Sequence, residues 1–335
     1  MSDLLHVVSP TDLTDADRAI ILSRAGVLKA SDPNPVPNRL RVGALYFNPS
    51  LRTRASFEQA VRIVGGSCQT MNATSDTWAL ELDPDAVMDG DKVENIAEAA
   101  RVLGQFFHIL GVRSFRGTAP WDVERTEPVL RKIAHYAGVP IISLEGTTHH
   151  PCQGLADVMT LHETFGPDLR GLPVALSWAY HPKALPTAVP QTFLMQAALA
   201  GCDVSVVHPH GFDLDREVLD SARSEASARG GKVTVTHDRL GGLRGRRVVY
   251  VKSWGRLDRS GPTDPELRTW QMDESAMSGT DHGRVMHCLP VRRNVVIAGE
   301  VLDGPRSLVV QQAGNRMWAQ AALVEHLARR QGVIP

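Results

Sequence analysis

Phe47-Asn48-Pro49-Ser50-Leu51-Arg52-Thr53-Arg54 is the stretch on which the fold turns. Upstream, Leu40, Val42, Ala44, Leu45, Tyr46 and Phe47 crowd into residues 39–47, the density of a buried strand. Downstream, Phe57, Ala60, Val61 and Val64 recur at helical spacing, and Gly65-Gly66 supplies a stop. Pro49-Ser50 is therefore a strand-to-helix turn, with Arg52 and Arg54 in the first helical turn. Cations are misplaced there, because a helix N-terminus already carries roughly +0.5 charge and disfavours them by tenths of a kcal/mol. An anion resolves the conflict: backbone N–H groups, the Ser50 and Thr53 hydroxyls and two guanidinium groups can converge on a phosphate. Taken alone, the pattern also fits two solvated arginines at a helix start.

Outward from this turn, strands and helices alternate. Ile96, Ala99, Ala100, Leu103 and Phe107 predict a helix, Ile109–Val112 a strand and residues 140–144 another buried strand. The polar connection Asn72–Asp91, with Trp78 in it, is long enough to suggest a functional loop. Beyond residue 150 come a helix over 155–165, a strand over 174–178 and a helix over 193–200. Strands follow at 203–207, 232–235, 248–251 and 285–288, then an amphipathic helix over 311–330. Such alternation predicts an α/β protein of two doubly wound parallel-sheet domains. The boundary is placed near residue 150, giving 1–150 and 151–311, with a C-terminal helix over 312–335 packing back on the first. At 335 residues, 43% hydrophobic, 22% charged and net charge −1, the chain has globular composition and no broad basic field for nucleic acid. No apolar run reaches the ~20 residues of a membrane span. Met1-Ser2-Asp3-Leu4-Leu5 shows no secretory leader, and four scattered cysteines fit a reduced, cytoplasmic setting.

The remaining polar residues gather at carboxyl ends of strands, where open α/β sheets bind ligands. Arg113 follows Val112 and is a second anion contact or a loop arginine. Glu145 and His149-His150-Pro151-Cys152-Gln153 close the next strand, where they can bind an amine and polarise a carbonyl, or cap the helix after Gln153. Adjacent histidines point apart and no second cluster has ligand spacing, so no metal is expected. His181–Pro190 carries three prolines and is expected to stay out of the following helix, as a stiff ligand loop or a plain linker. Lys252 ends a strand and can bind a carboxylate. His287-Cys288-Leu289-Pro290 ends another, where the Cys288 and Leu289 carbonyls can accept from an amine. A nucleophilic Cys288 lacks a paired base, since His287 should face the other side of the strand. Arg316 is weak alone. The set contains no Walker lysine loop and no Gly-x-Gly-x-x-Gly, so no nucleotide cofactor is expected.

Ser50–Arg54 resembles the Ser-Thr-Arg-Thr-Arg loop of the aspartate and ornithine carbamoyltransferases, His150–Gln153 their His-Pro-x-Gln, and His287–Pro290 the ornithine-type His-Cys-Leu-Pro. Val87–Asp91, the proline-rich segment, Lys252-Ser253-Trp254 and Leu289–Asn294 are similar to the N-acyl-ornithine branch. The resemblance implies cofactor-free transfer from carbamoyl phosphate to an amine, in a cytoplasmic homotrimer with shared active sites. It also implies a trefoil knot, the proline-rich loop passing through a loop near Gly241–Trp254. It assigns Ser50, Leu51, Arg52, Thr53, Arg54, Trp78 (from a neighbouring subunit), Arg113, His150, Gln153 and Arg316 to carbamoyl phosphate. Thr53, Arg113, His150 and Cys288 form its catalytic set. Glu145, His181, Lys252, Cys288, Leu289, Arg292 and Val93 would face the amino acid.

Within that branch, acetylornithine enzymes resemble Glu, and succinylornithine enzymes Pro, at the position of Val93. Acetylornithine enzymes also carry a lysine where this chain has Val296. Lacking that carboxylate, Val93 leans towards N-succinylornithine. N-acetylornithine, ornithine and 2,3-diaminopropionate are the alternative acceptors, and a non-catalytic ligand-binding paralogue the alternative class.

Overall fold

A computed structural model describes residues 4–258 and 261–335; the leader expectation drawn from Met1–Asp3 lies outside them. The chain divides into two compact units, one ending at Leu155 and completed by Arg316–Pro335, the other Ala156–Asn315.

The first unit contains α1 (Asp15–Ser31), β1 (Arg41–Tyr46), α2 (Leu51–Ile63) and β2 (Ser67–Asn72). The short β3 (Leu80–Glu81) and β4 (Glu94–Asn95) pair with each other. There follow α3 (Ile96–Phe106), β5 (Ile109–Arg113), α4 (Trp121–Glu124), α5 (Pro128–Ala137), β6 (Ile141–Glu145) and the start of α6 (Pro151–Phe165). The sheet runs β2-β1-β5-β6, every pair parallel. Because helices cover such sheets, β1, β5 and β6 are almost wholly buried. Leu110, Val112, Leu130, Ile133 and Ile141 form a core with Ile96 and Ala100. Gly65 takes φ +80, outside the ordinary range of L side chains, and the chain turns from α2 into β2.

The second unit carries β7 (Pro173–Trp178), α7 (Ala188–Leu199), β8 (Asp203–Val207), α8 (Arg216–Ala228), β9 (Lys232–Thr236), α9 (Arg239–Leu243) and β10 (Val248–Lys252). After these come α10 (Glu274–Met277), β11 (Arg284–Met286), α11 (Gly299–Asp303) and α12 (Val309–Arg330). Its sheet runs β11-β10-β7-β8-β9, again all parallel. Trp178 and Trp254 are buried and tied together, Trp178 Nε1–H donating to Trp254 O (2.9 Å).

Strand order places each ligand crevice. In the first sheet the chain leaves β1 for β2 on one side and returns to β5 on the other. In the second it winds from β7 through β8 to β9, then returns to β10. The switch points are β1/β5 and β7/β10, and crevices open there beyond the carboxyl ends.

Three expectations are corrected. The proline-rich segment does become helix: α7 starts at Ala188, and Pro190 fits its first turn, where no N–H is needed. α6 starts at Pro151, before Gln153, with proline at the first position. The last strand stops at Met286, so His287 and Cys288 lie in the turn beyond it, and strand alternation does not set their directions. Among the described residues, no helix is long and apolar enough to cross a membrane.

Candidate active site

The β1/β5 crevice holds the opening turn. Ser50 caps α2, its Oγ accepting from Thr53 N–H (3.2 Å), which fixes the first turn carrying Arg52 and Arg54. Asn48 Oδ1 accepts from Phe115 N–H (2.7 Å), and Phe47 N–H donates to Arg113 O (2.9 Å), so the turn is fastened to the end of β5. Arg113 is the last residue of that strand and lies over the Phe115 ring.

Five charged or polar side chains meet there: Thr53, Arg113, Glu145, His150 and Arg316. Arg316 Nη2 donates to Thr53 Oγ1 (2.7 Å) and lies 3.5 Å from His150 Nε2. Arg113 Nη1 donates to Glu145 Oε2 and to Leu144 O (3.3 Å). His150 Nε2 is 3.8 Å from the same Glu145 oxygen. Thr53, Arg113, His150, Gln153 and Arg316 are all buried. Burial, then Arg316 and Arg113, holds the His150 imidazole well below its usual range, so it is neutral near pH 7. A neutral imidazole can donate to a forming oxyanion without adding charge. Among the described residues, Arg52 Nε and Arg113 Nε meet no acceptor, as donors awaiting an anion would. Arg54 is exposed and lines an open cavity of about 520 Å³ with Ser50, Glu58 and Thr70. Leu51, Trp78 and Val93 are largely exposed. Cys152 Sγ donates to Ser143 O (3.6 Å).

The β7/β10 crevice gathers the second set. Lys252 ends β10, buried, its carbonyl accepting from Ala179 N–H (3.1 Å). Lys183 N–H donates to His181 Nδ1 (3.0 Å). Burial lowers the His181 pKa, helped by the positive charges of Arg292, Lys252 and Lys183 and opposed by the hydrogen bond to the Lys183 backbone. Leu289 takes φ +58, and its N–H donates to His287 Nδ1 (2.9 Å), which shapes the turn around Cys288. Val296 is buried in this unit's core.

Sequence reading missed two supports. His287 N–H donates to Gln312 Oε1 (2.8 Å), and Gln312 Nε2 donates to the buried Asp157 (2.6 Å), so Asp157 braces the turn. The other is Glu127, whose carboxylate accepts from Thr147 N–H (2.9 Å) and Thr148 N–H (2.7 Å) just before His150. A mid-helix carboxylate or an isolated glutamate has no pattern by which such roles could be found.

The model of the aspartate/ornithine carbamoyltransferase carbamoyl-P binding domain matches residues 5–163, and that of the Asp/Orn binding domain matches 187–327. The chain belongs to the aspartate/ornithine carbamoyltransferase family, and it is a carbamoyltransferase. It is 37% identical to the N-acetylornithine carbamoyltransferase of Xanthomonas axonopodis pv. citri, covering 98% of each chain. It is 32% identical to the N-succinylornithine carbamoyltransferase of Bacteroides thetaiotaomicron, covering 84% of this chain and 86% of that one. Acetylornithine transcarbamylase complexed with acetylcitrulline superposes with TM-score 0.91 at 38% identity, over 96% and 98% of the two chains. A variant of N-acetyl-L-ornithine transcarbamylase with glutamate replaced by valine, complexed with carbamyl phosphate and N-succinyl-L-norvaline, matches equally well, at 37% identity over 96% and 99%.

Proposed function

We propose that the chain transfers the carbamoyl group of carbamoyl phosphate to the terminal amine of an N-acylornithine, preferring N-succinyl-L-ornithine. The β1/β5 crevice of the first unit takes carbamoyl phosphate; the β7/β10 crevice of the second takes the amino acid. Ser50, Arg52, Thr53, Arg54, Gln153 and Arg316 hold the phosphate, while Thr53, Arg113 and His150 stabilise the carbonyl oxyanion. The uncharged amine attacks the carbonyl carbon, the tetrahedral intermediate collapses, and phosphate leaves into the arginines. Much of the rate comes from holding two substrates in line. Lys252, His181 and Arg292 suit the carboxylates of an acylated amino acid, and the Cys288 and Leu289 carbonyls orient its amine.

The observation that carries the acyl preference is Val93, 65% exposed just before β4 and offering no carboxylate to repel succinate. The glutamate-to-valine variant bound to a succinylated ligand supports that reading. The higher identity of the N-acetylornithine enzymes favours the second reading, N-acetylornithine. Initial rates of phosphate release with both N-acylornithines decide: a higher kcat/KM for the acetyl substrate overturns the preference, and no turnover with either overturns the acceptor class. We further place the protein in the cytoplasm as a homotrimer, with Trp78, 71% exposed, reaching a neighbour's site. Light scattering that returns a monomer overturns that assembly. A trefoil knot is consistent with the way the proline-rich segment meets the stretch after β10, through Gly255 N–H to Leu185 O (2.8 Å) and the Lys183–Pro262 bridge.

A further inference from the structure

Residues 146–150, between β6 and α6, have no regular structure yet are buried throughout. A buried loop must still satisfy its N–H groups. Here one side chain does so. Glu127, between α4 and α5, is 5% exposed and adopts φ 57, ψ 53, the left-handed region that costs a non-glycine residue about 1 kcal/mol or more. Its Oε2 accepts from Thr147 N–H (2.9 Å), and its Oε1 accepts from Thr148 N–H (2.7 Å) and His149 N–H (3.3 Å). Gly146 makes room for it, since a Cβ there would lie 2.5 Å from both carboxylate oxygens. Thr148 Oγ1 donates to Arg125 O (2.9 Å), and Gly146 N–H donates to His149 O (2.8 Å), closing the turn.

The residues at either end of this loop are Glu145, paired with Arg113, and His150, beside Arg316. We propose that Glu127 is a positioning residue of the carbamoyl-phosphate crevice: its carboxylate grips Thr147–His149 and so fixes His150 and Glu145 against the two arginines. A carboxylate suits the task because three converging donors need two accepting oxygens, and an amide offers only one. The inference rests on the role given above to His150. The charged and titratable groups around Glu127 are Arg131 on α5, Glu124 at the end of α4, Arg125 just after it, and His149 on the loop. Burial pushes its carboxyl up to about 7 against the pull of the three N–H bonds and Arg131. Its grip therefore weakens in acid.

Glu127→Ala, Glu127→Gln, Gly146→Ala, the Glu127→Ala/Gly146→Ala pair and His150→Ala test this, with carbamoyl phosphate varied at saturating acceptor. Displacement of a reacting group by about 1 Å costs up to roughly 100-fold. Glu127→Ala is expected to lower kcat/KM for carbamoyl phosphate on that order and Glu127→Gln by roughly 10-fold, both leaving the acceptor KM within about 2-fold. In wild type this kcat/KM should rise with pH through about 7, and in Glu127→Gln that rise should vanish. Gly146→Ala should be as damaging as Glu127→Ala in wild type, and nearly neutral once the carboxylate is gone. Glu127→Ala within about 2-fold of wild type, or a Gly146→Ala loss undiminished in the Glu127→Ala background, overturns the proposal. If Glu127→Ala does not fold, Glu127→Gln decides by its kcat/KM and pH profile alone. If His150→Ala keeps full kcat/KM, the role of His150 fails; if it collapses while the Glu127 variants do not, only the positioning role fails.

Discussion

Thr53→Val removes one hydroxyl from the anion crevice and nearly preserves the side chain's volume. Thr53 is 1% exposed and Arg316 4%, so the Arg316 Nη2 to Thr53 Oγ1 bond (2.7 Å) has no water to replace it. A hydrogen bond to a charged group contributes about 1.5–3 kcal/mol. For units of this size each kcal/mol moves Tm by about 2–4 °C, so the unliganded variant should melt roughly 3–12 °C lower. If the same hydroxyl serves the transition state, kcat/KM for carbamoyl phosphate should fall roughly 10- to 150-fold, at 1.36 kcal/mol per decade. Thermal melting and steady-state phosphate release read the two effects separately. A Tm within about 1 °C of wild type together with kcat/KM within about 3-fold would refute the reasoning, because Arg316 would then be held by something other than Thr53.

Gly104→Ala should destabilise the first unit by about 1–3 kcal/mol or more, because its Cβ would fall on the Ala137 carbonyl where α3 crosses α5; a melting curve measures it. Asp157→Ala should raise the acceptor KM roughly 10-fold, for the loss of a bond of about 1–1.5 kcal/mol, while the carbamoyl-phosphate KM stays put; steady-state kinetics check it. His150 and Glu127 should tilt stability in opposite directions. His150, its pKa depressed by burial, loses stability as pH falls below 6.5, since the unfolded chain then takes up the proton more readily. Glu127, raised from 4.5 to about 7, loses stability as pH rises through that window, by at most about 3 kcal/mol. Melting curves of wild type, His150→Asn and Glu127→Gln from pH 4.5 to 8 should show each slope disappear in its own variant.

The elements that sequence reading placed best are those buried on both faces. β1 and β5 announce themselves by unbroken apolar runs, because helices cover both sides of a parallel sheet. β2, at the sheet edge, is Ser67–Asn72, half polar and partly exposed, and leaves no such trace. α1 also escapes, its buried Ile21, Ala25 and Leu28 blurred by exposed Ile20 and Val27. Pro190 misled because proline forbids a helix interior and not its first turn. At the site, the anion reading of Arg52 and Arg54 came from local electrostatics, their place in the first turn of a helix. Arg316 was not: its meaning comes from Thr53, 263 residues earlier in the chain. Glu127 was invisible for a different reason, since its partners are backbone N–H groups, which every residue has.

The Arg113–Glu145 pair has a consequence over generations. Both side chains are nearly buried, at 8% and 13% exposure. Removing one partner of such a pair strands the other charge, at a cost of about 3–5 kcal/mol, comparable to much of a domain's stability. Substitutions at one position should therefore be tolerated only in company with changes at the other. Among descendants of this chain the two columns should covary, and a lineage that has lost one should have remade the floor of the crevice.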